Sequence, residues 1–387
     1  MIPPGQECPR RLYAEPPLLP ILILRLPATR RHDREDSMAA NPKPVDPVST
    51  FNKAEQLLQY GHYESAFDLY FEIRNAGRMA PLAYYRMGQI LNRRGQVDES
   101  LDCHRAAFEL DPLLSRSVTE NDHPCYDYRY GFVEQTHITH CPLCGQEGRK
   151  HSCYNAITKP DFTPGFDPIR LWMHCDACHH IFASNYPTDL GAVLRSHAHD
   201  SHLCPRHEVF PALGRILSNI RKRTPGNRLL EIGVGAGEMA AVAKEFLFDV
   251  TGVDIRPAYA DAVSRTLDIP VCACDFLEFE ADAPFDVICM GDVLEHTTEP
   301  VRMLLKAISL LSPNGVLWIS TPNFESAYSH LMEDDSPLWR ACEHLNYFCY
   351  RSLKSMLESM GMDVVDYAIS RHCLGTMEIT AVKRVAS

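Results

Sequence analysis

The chain has 387 residues, 45% hydrophobic and 23% charged, a globular composition with room for two or three domains. Its formal net charge of −12 at pH 7 argues against a nucleic-acid duplex or an anionic membrane as partner, since both call for a basic face. Four of the fifteen cysteines have metal spacing and most of the rest lie in ordinary strand or helix contexts, so the composition reads as that of a reducing, cytoplasmic compartment.

Residues 1–50 are rich in proline, and their one apolar run, Leu18 to Leu24, is interrupted by Pro20. That run is too short to cross a bilayer, no small-residue cleavage site follows it, and the segment is expected to be disordered. Met38 is an alternative start, which would leave 1–37 out of the working protein. From Phe51 the character changes. Tyr60-Gly61-His62-Tyr63-Glu64-Ser65-Ala66 and Arg94-Gly95-Gln96-Val97-Asp98-Glu99-Ser100 place equivalent glycines 34 residues apart. The second unit resembles the tetratricopeptide repeat, with Tyr84, Gly88, Leu91, Gly95, Ala106 and Pro112 at the positions of that helix-turn-helix. Two repeats over 51–116 give four helices, too few to bury their own faces, so they are expected to pack on a neighbouring domain or another subunit. The resemblance implies a protein partner or self-association.

A module over 117–190 follows. Cys141-Pro142-Leu143-Cys144 and Cys175-Asp176-Ala177-Cys178 form two C-x-x-C knuckles with thirty residues between them. Each presents two thiolates from a tight turn, which suits one tetrahedral zinc; four thiolates leave no open position, so the metal is expected to be structural. His197, His199, His202 and His207 with Cys204 form a second cluster. Residues two apart on a helix face different ways, so these are poor ligands, and a solvated or lid helix is expected. A helix from Glu208 to Arg223 then leads into a last domain, 191–387.

Arg228 to Ile232 reads as a buried strand, broken by Gly233, Gly235 and Gly237. A helix pattern from Glu238 to Leu247 follows, then a strand from Val250 to Ile255 carrying Asp254 at its tip. Such a βαβ start holds a nucleoside: glycines admit the ligand, and the carboxylate accepts from ribose hydroxyls. A third strand, Val271 to Cys274, ends on Asp275 and Phe276; a fourth, Phe285 to Met290, ends on Gly291 and Asp292. With these residues the chain resembles the class I S-adenosylmethionine-dependent methyltransferases. The resemblance implies that Glu231 and the glycine turn hold the methionine part of the cofactor, Asp254 the ribose and Asp275 the adenine amino group. Ile255, Phe276 and Met290 complete the implied cofactor site.

Asp292-Val293-Leu294-Glu295-His296 then opens a loop, Pro300 starts a helix to Leu311, and Asn314-Gly315 turns the chain into a fifth strand, Val316 to Ser320. Asp292, Glu295 and His296 match positions proposed to hold a divalent ion in the ubiquinone-pathway O-methyltransferases; the alternative is a carboxylate that caps the following turn. Glu343-His344 and the aromatic run after it resemble, together with the four-cysteine module, the nucleotide-sugar C-methyltransferases, from Cys141 to about Val385. There a tyrosine, glutamate and histidine are implicated in removing a proton beside a ketone. Glu343 and His344 match, whereas the tyrosine position is Ala341. His344 is the first candidate base, with Glu343 beside it and His296 second.

These readings give an α/β fold: a doubly wound seven-stranded sheet of order 3-2-1-4-5-7-6, with last strands Asp363 to Ala368 and Glu378 to Arg384 and the final one antiparallel. A zinc ribbon and an all-α repeat module precede it. The expected activity is methyl transfer to the carbon or oxygen of a small-molecule acceptor, a sugar or nucleotide sugar by resemblance. The competing expectation is a scaffold or cofactor sensor that binds partners through its repeats and ribbon.

Overall fold

The computed structural model describes residues 46–159, 162–197, 203–371 and 373–384. The leader 1–45, with Met38, and the histidines His199 and His202 lie outside them. Helix α1 (Pro47–Gln59) starts before residue 51, because Asp46 caps it from the side chain and Pro47 sits in its first turn, where a missing N–H costs nothing. It pairs with α2 (Tyr63–Ile73), and α3 (Ala80–Arg93) pairs with α4 (Val97–Leu110). The 34-residue period is visible in the turns. Gly61 and Gly95 both adopt a left-handed φ, and the next residue donates back to the helix in both, His62 to Leu57 at 2.9 Å and Gln96 to Leu91 at 2.9 Å. A short helix α5 (Ser115–Val118) ends this region.

Between α5 and the large sheet lie β1 (Gln135–His137), β2 (Arg149–Asn155), β3 (Ile169–Cys175), β4 (His180–Ala183), β5 (Asn185–Pro187) and α6 (Leu190–Ser196). β1 pairs with β5, while β2, β3 and β4 form an antiparallel meander. The repeats do pack on a neighbour. One apolar cluster joins Tyr85 and Phe108 of the helices to Tyr154 and Trp172 of the meander and to Trp339 and Tyr347 from far along the chain. Asn92 stitches the same junction, accepting from the Cys153 N–H at 2.7 Å and donating to Asp334 at 3.0 Å.

The remaining elements are α7 (Phe210–Arg221), β6 (Arg228–Ile232), α8 (Glu238–Glu245), β7 (Asp249–Asp254), α9 (Pro257–Leu267), β8 (Val271–Ala273), β9 (Phe285–Gly291), α10 (Pro300–Leu310), β10 (Leu311–Pro322), α11 (Ala327–Met332), β11 (Asn346–Tyr347), α12 (Tyr350–Ser359), β12 (Met362–Ile369) and β13 (Thr376–Lys383). The sheet order is β12-β13-β10-β9-β6-β7-β8, with β13 antiparallel to both neighbours, as the methyltransferase resemblance implied. Period-two alternation divides its two cores. Leu230, Ile288, Met290, Leu317 and Ile319 face α10 and α12, while Leu229, Val287, Cys289, Val316 and Trp318 face α7 and α8.

β10 differs from expectation. It begins at Leu311, and the anticipated Asn314-Gly315 turn is a bulge inside it, with Asn314 at φ 60° and a register shift against β9 between Leu311 and Val316. β11 is also informative, for it leaves the large sheet and adds to the meander edge, pairing Asn346 with Phe182 and Tyr347 with Ile181. The segment after β10 is thereby tied to the cysteine module.

Candidate cofactor and acceptor site

Glu231, Asp254 and Asp275 come together because β6, β7 and β8 are parallel neighbours, so their carboxyl ends share one edge of the sheet. Gly233, Gly235 and Gly237 all take left-handed φ values, of 76°, 49° and 85°. A side chain at 233 would collide with Val293, whereas one at 235 would project into open space, room for a ligand to lie against the backbone. Glu231 is buried, its Oε2 has no hydrogen-bond partner, and its other support is the Ala240 N–H in the first turn of α8. Burial holds this carboxyl well above the usual range, and Glu238 and Asp254 add to the shift. Asp254 is buried and raised for the same first reason; it accepts from the Arg256 N–H at 2.8 Å and, loosely, from Gly235 N–H at 3.3 Å. Asp275 caps the turn after β8 by accepting from Leu277 N–H at 2.8 Å and stays half-buried.

Two of the expected apolar contacts have buried side chains. Met290 and Phe276 are both buried in the core under the sheet, since alternate residues of a strand face opposite ways and Met290 falls on the inner face. Their backbones reach the edge; the Met290 side chain does not. Ile255, beside Asp254, remains half-buried.

A second group of polar side chains is built around Glu343 and His344. Glu343 is committed to structure: one oxygen accepts from Arg256 Nη2 at 2.8 Å, the other from the Thr163 hydroxyl, and the ion pair is only 14% and 12% exposed. Arg256 also donates through Nε to the His197 carbonyl at 2.8 Å. A chain of contacts therefore runs from Asp254 through Arg256 and Glu343 to the cysteine module. His344 Nδ1 lies 3.0 Å from the Tyr347 hydroxyl, whose own hydrogen is directed at the Leu338 carbonyl. The Tyr347 oxygen must then accept, so the proton sits on Nδ1 and Nε2 carries a lone pair. A phenol thus stands beside the histidine although residue 341 is alanine; it comes from β11 instead.

The same reasoning applies to His296, whose Nδ1 lies 3.0 Å from the Glu343 carbonyl and must donate to it. The two imidazoles stand edge to face with centroids 4.8 Å apart. Burial, the nearby His296 and the cations Lys159 and Arg170 keep His344 well below the ordinary histidine range, and burial lowers His296 as well. Glu295, His296 and His344 each offer an atom within 4.8 Å of the others, and Glu295 Oε1 has no partner. Asp292 is not in this cluster, because its carboxylate accepts from the Ser320 hydroxyl at 2.9 Å.

Sequence patterns did not reveal Arg256, Thr163 or Arg170. Arg170 is fully buried and donates to the His344 carbonyl at 3.1 Å and the Asn185 carbonyl at 3.2 Å. A lone arginine inside the apolar strand Ile169–Cys175 was the one available signal. The histidine cluster does not converge among the described residues: His197 ends α6 and anchors Arg256 through its carbonyl, while the His207 side chain is exposed beside Glu208.

In the cysteine module, Cys141 and Cys178 bring their sulfurs to 3.5 Å, as do Cys144 and Cys175, and all four lie within 4.8 Å. Four thiolates bound at about 2.3 Å to a tetrahedral zinc stand roughly 3.8 Å apart, so the donor set fits. Gly145, at φ 72°, closes the first knuckle and donates to the Cys141 carbonyl at 2.9 Å.

A family model described as a methyltransferase domain matches residues 206–367. The match covers less than half of the chain. Curated relatives include the ubiquinone biosynthesis O-methyltransferase of Caulobacter sp. (strain K31), 35% identical over 122 residues, 29% of this chain and 48% of that protein. The protein of the same name from Xylella fastidiosa (strain 9a5c) is 32% identical over 129 residues, 31% of this chain and 51% of its own. The chain thus spans about half the length of the curated relatives it matches. Among solved structures, the 1,6-didemethyltoxoflavin-N1-methyltransferase of Burkholderia thailandensis is 23% identical with a TM-score of 0.41, covering 56% of this chain and 96% of that one. The matched segment contains Glu231, the glycine turn, Asp254, Asp275 and both histidines; the four cysteines and the N-terminal helices lie before it.

Proposed function

We propose that the protein transfers the methyl group of S-adenosylmethionine to a small-molecule acceptor, with Glu231, the glycine turn, Asp254 and Asp275 holding the cofactor. When bound, S-adenosylmethionine supplies an electrophilic methyl that a nucleophile takes in line from roughly 3 to 3.5 Å. The chain's part is to position the acceptor, exclude water and hold the proton of a carbon acid or alcohol. The observation that carries the reading is the Tyr347–His344 pair, because it leaves an Nε2 lone pair on the acceptor side while burial keeps the ring neutral at pH 7. Glu343, locked to Arg256 and Thr163, orients the loop and polarises the pair of histidines. The acceptor is a sugar or nucleotide sugar methylated at carbon or oxygen, a class supported by the likeness of the Glu343-His344 segment. The four cysteines hold a structural zinc that fixes β3 and β4, and through them β11 and the base.

The unpartnered Glu295 Oε1 beside two Nε2 lone pairs favours a second reading, in which Glu295, His296 and His344 hold a divalent ion at the acceptor. The deciding experiment incubates the protein with isotopically labelled cofactor and metabolite extracts, then measures single-turnover transfer to the acceptor found. His344→Ala should bind cofactor normally and react about 10² to 10⁴ more slowly. A base role predicts that the wild-type rate survives a chelator at a dose that leaves the cysteine-bound zinc in place and that the metal content is zinc alone, whereas an ion at the histidines predicts loss at that dose. Unaltered chemistry in His344→Ala would remove it from both roles. Cofactor binding with no transfer to any metabolite would favour a sensor.

A further inference from the structure

β8 is the outermost strand of the large sheet, and it delivers Asp275 to the ligand edge. Its sequence, Val271-Cys272-Ala273-Cys274-Asp275, sets two cysteines directly before that acid. Alternate residues of an extended chain lie on one face, and the two sulfurs meet at 3.3 Å. Both thiols are free, Cys272 exposed and Cys274 half-buried against the core on the α10 and α12 side. The pair does not belong to the four-cysteine cluster, and among the described residues no third donor joins it to make a metal site.

The ladder makes the two positions unequal. Cys272 is paired with Val253 of β7 and is held in place, whereas the pairing stops at Ala273 and leaves Cys274 at a bend with Asp275 beyond it. Burial, then the hydrogen bond and charge of Cys272, with Glu278 and Asp275 behind them, push the Cys274 thiol up to about 12. The exposed Cys272 is therefore the sulfur that an oxidant meets first. A disulfide holds its sulfurs about 2.05 Å apart, so closing the 3.3 Å contact draws them together by roughly 1.3 Å. That adjustment falls on the unpaired side, at Cys274 and the acid that follows it. Asp275 has a defined position to lose, because its carboxylate accepts from the Leu277 N–H at 2.8 Å and its carbonyl from the Glu278 N–H at 2.9 Å.

We propose that Cys272 and Cys274 are a redox modification site at the adenine end of the cofactor site, which a peroxide closes into a disulfide and thereby loosens cofactor binding. The proposal rests on the reading that Asp275 holds the adenine. The Cys272 thiolate attacks one peroxide oxygen, the O–O bond breaks, and the sulfur becomes a sulfenic acid while the departing hydroxide takes up a proton. The Cys274 sulfur then attacks the Cys272 sulfur, the S–O bond breaks, and the second hydroxide leaves as water with the Cys274 proton. Two thiols and one peroxide give one disulfide and two waters. By linkage, a cofactor that prefers the reduced chain opposes oxidation of the pair by the same factor.

The test treats the full chain with hydrogen peroxide, reads the peptide that carries both cysteines by mass spectrometry after alkylation, and measures S-adenosylhomocysteine affinity by calorimetry. The wild type should gain the disulfide and bind at least tenfold more weakly, and a dithiol reductant should reverse both changes. Cys272→Ser should keep its full affinity through the same treatment. In glutathione buffers, saturating S-adenosylhomocysteine should raise the pair's potential by at least about 30 mV, the equivalent of tenfold. No disulfide, a disulfide with unchanged affinity, or a loss of affinity that persists in Cys272→Ser overturns the proposal. A reduced chain that binds no S-adenosylhomocysteine would count against the methyltransferase reading instead, and the disulfide, read without ligand, would still decide the modification site.

Discussion

Glu231 makes a prediction that needs no knowledge of the acceptor. Its carboxyl is buried at the end of β6, one oxygen has no partner, and desolvation with two nearby acids holds its pKa well above 4.5. A ligand ammonium arriving at that oxygen reverses the balance, favouring the charged form and drawing the pKa down. Cofactor binding should therefore release a proton from whatever fraction of Glu231 is protonated. Below its free-state pKa, affinity should fall by up to about tenfold per pH unit, since each unit is worth about 1.4 kcal/mol. Glu231→Gln keeps the shape and removes the charge. It should forfeit a charge-assisted hydrogen bond of about 1.5–3 kcal/mol, which raises Kd roughly 10- to 150-fold. The assay is titration calorimetry with S-adenosylhomocysteine in buffers of different ionisation enthalpy, from pH 5 to 8. Buffer-dependent heats in the wild type should shrink in Glu231→Gln, leaving only what Asp254 contributes. Wild-type affinity in that variant, or proton release undiminished in it, would refute the assignment of Glu231 to the cofactor.

Asp254→Ala should weaken S-adenosylhomocysteine by a comparable amount, about 1.5–3 kcal/mol, while far-ultraviolet circular dichroism stays unchanged; equal calorimetric affinity would count against the ribose role. The purified protein should contain about one zinc per chain, and Cys175→Ser should lower metal content and melting temperature together; metal analysis of protein prepared without chelator checks this. Burial lowers His104 to about 3 and His151 and His180 to about 4, so these histidines, near 6.5 in the unfolded chain, contribute stability that is complete above about pH 6.5 and is lost as pH falls, by up to about 1.4 kcal/mol per unit for His104 alone. The buried carboxyls Glu231 and Glu295, raised above their usual range, act in the opposite sense, so the check compares variants: the fall in melting temperature between pH 7.5 and 5.0 should be smaller in His104→Gln than in the wild type. Glu343→Gln leaves Arg256 nearly buried without its counter-ion and should cost on the order of 2–4 kcal/mol, read as a lower denaturation midpoint; an unchanged midpoint would show that the pair carries no net stability.

The chain's own pattern determined the parts that obey a local period. Alternation within strands, glycines at 233, 235 and 237 and acids at successive strand ends fix the parallel sheet and its ligand edge, because these are properties of a few consecutive residues. The 34-residue spacing of Gly61 and Gly95 and the paired C-x-x-C turns were legible for the same reason. Tertiary structure alone decided how the parts meet. β11 joins the meander, so Tyr347 reaches His344 from a position no motif marks; Arg256 and Thr163 clamp Glu343 from segments 87 and 180 residues away along the chain. Arg170 supports the His344 carbonyl from a strand whose sequence reads as plain core. Such contacts depend on the burial of Trp172, Trp339 and Tyr85 in one junction, and apolar packing is non-directional, so it leaves no spacing in the sequence by which its partners can be read.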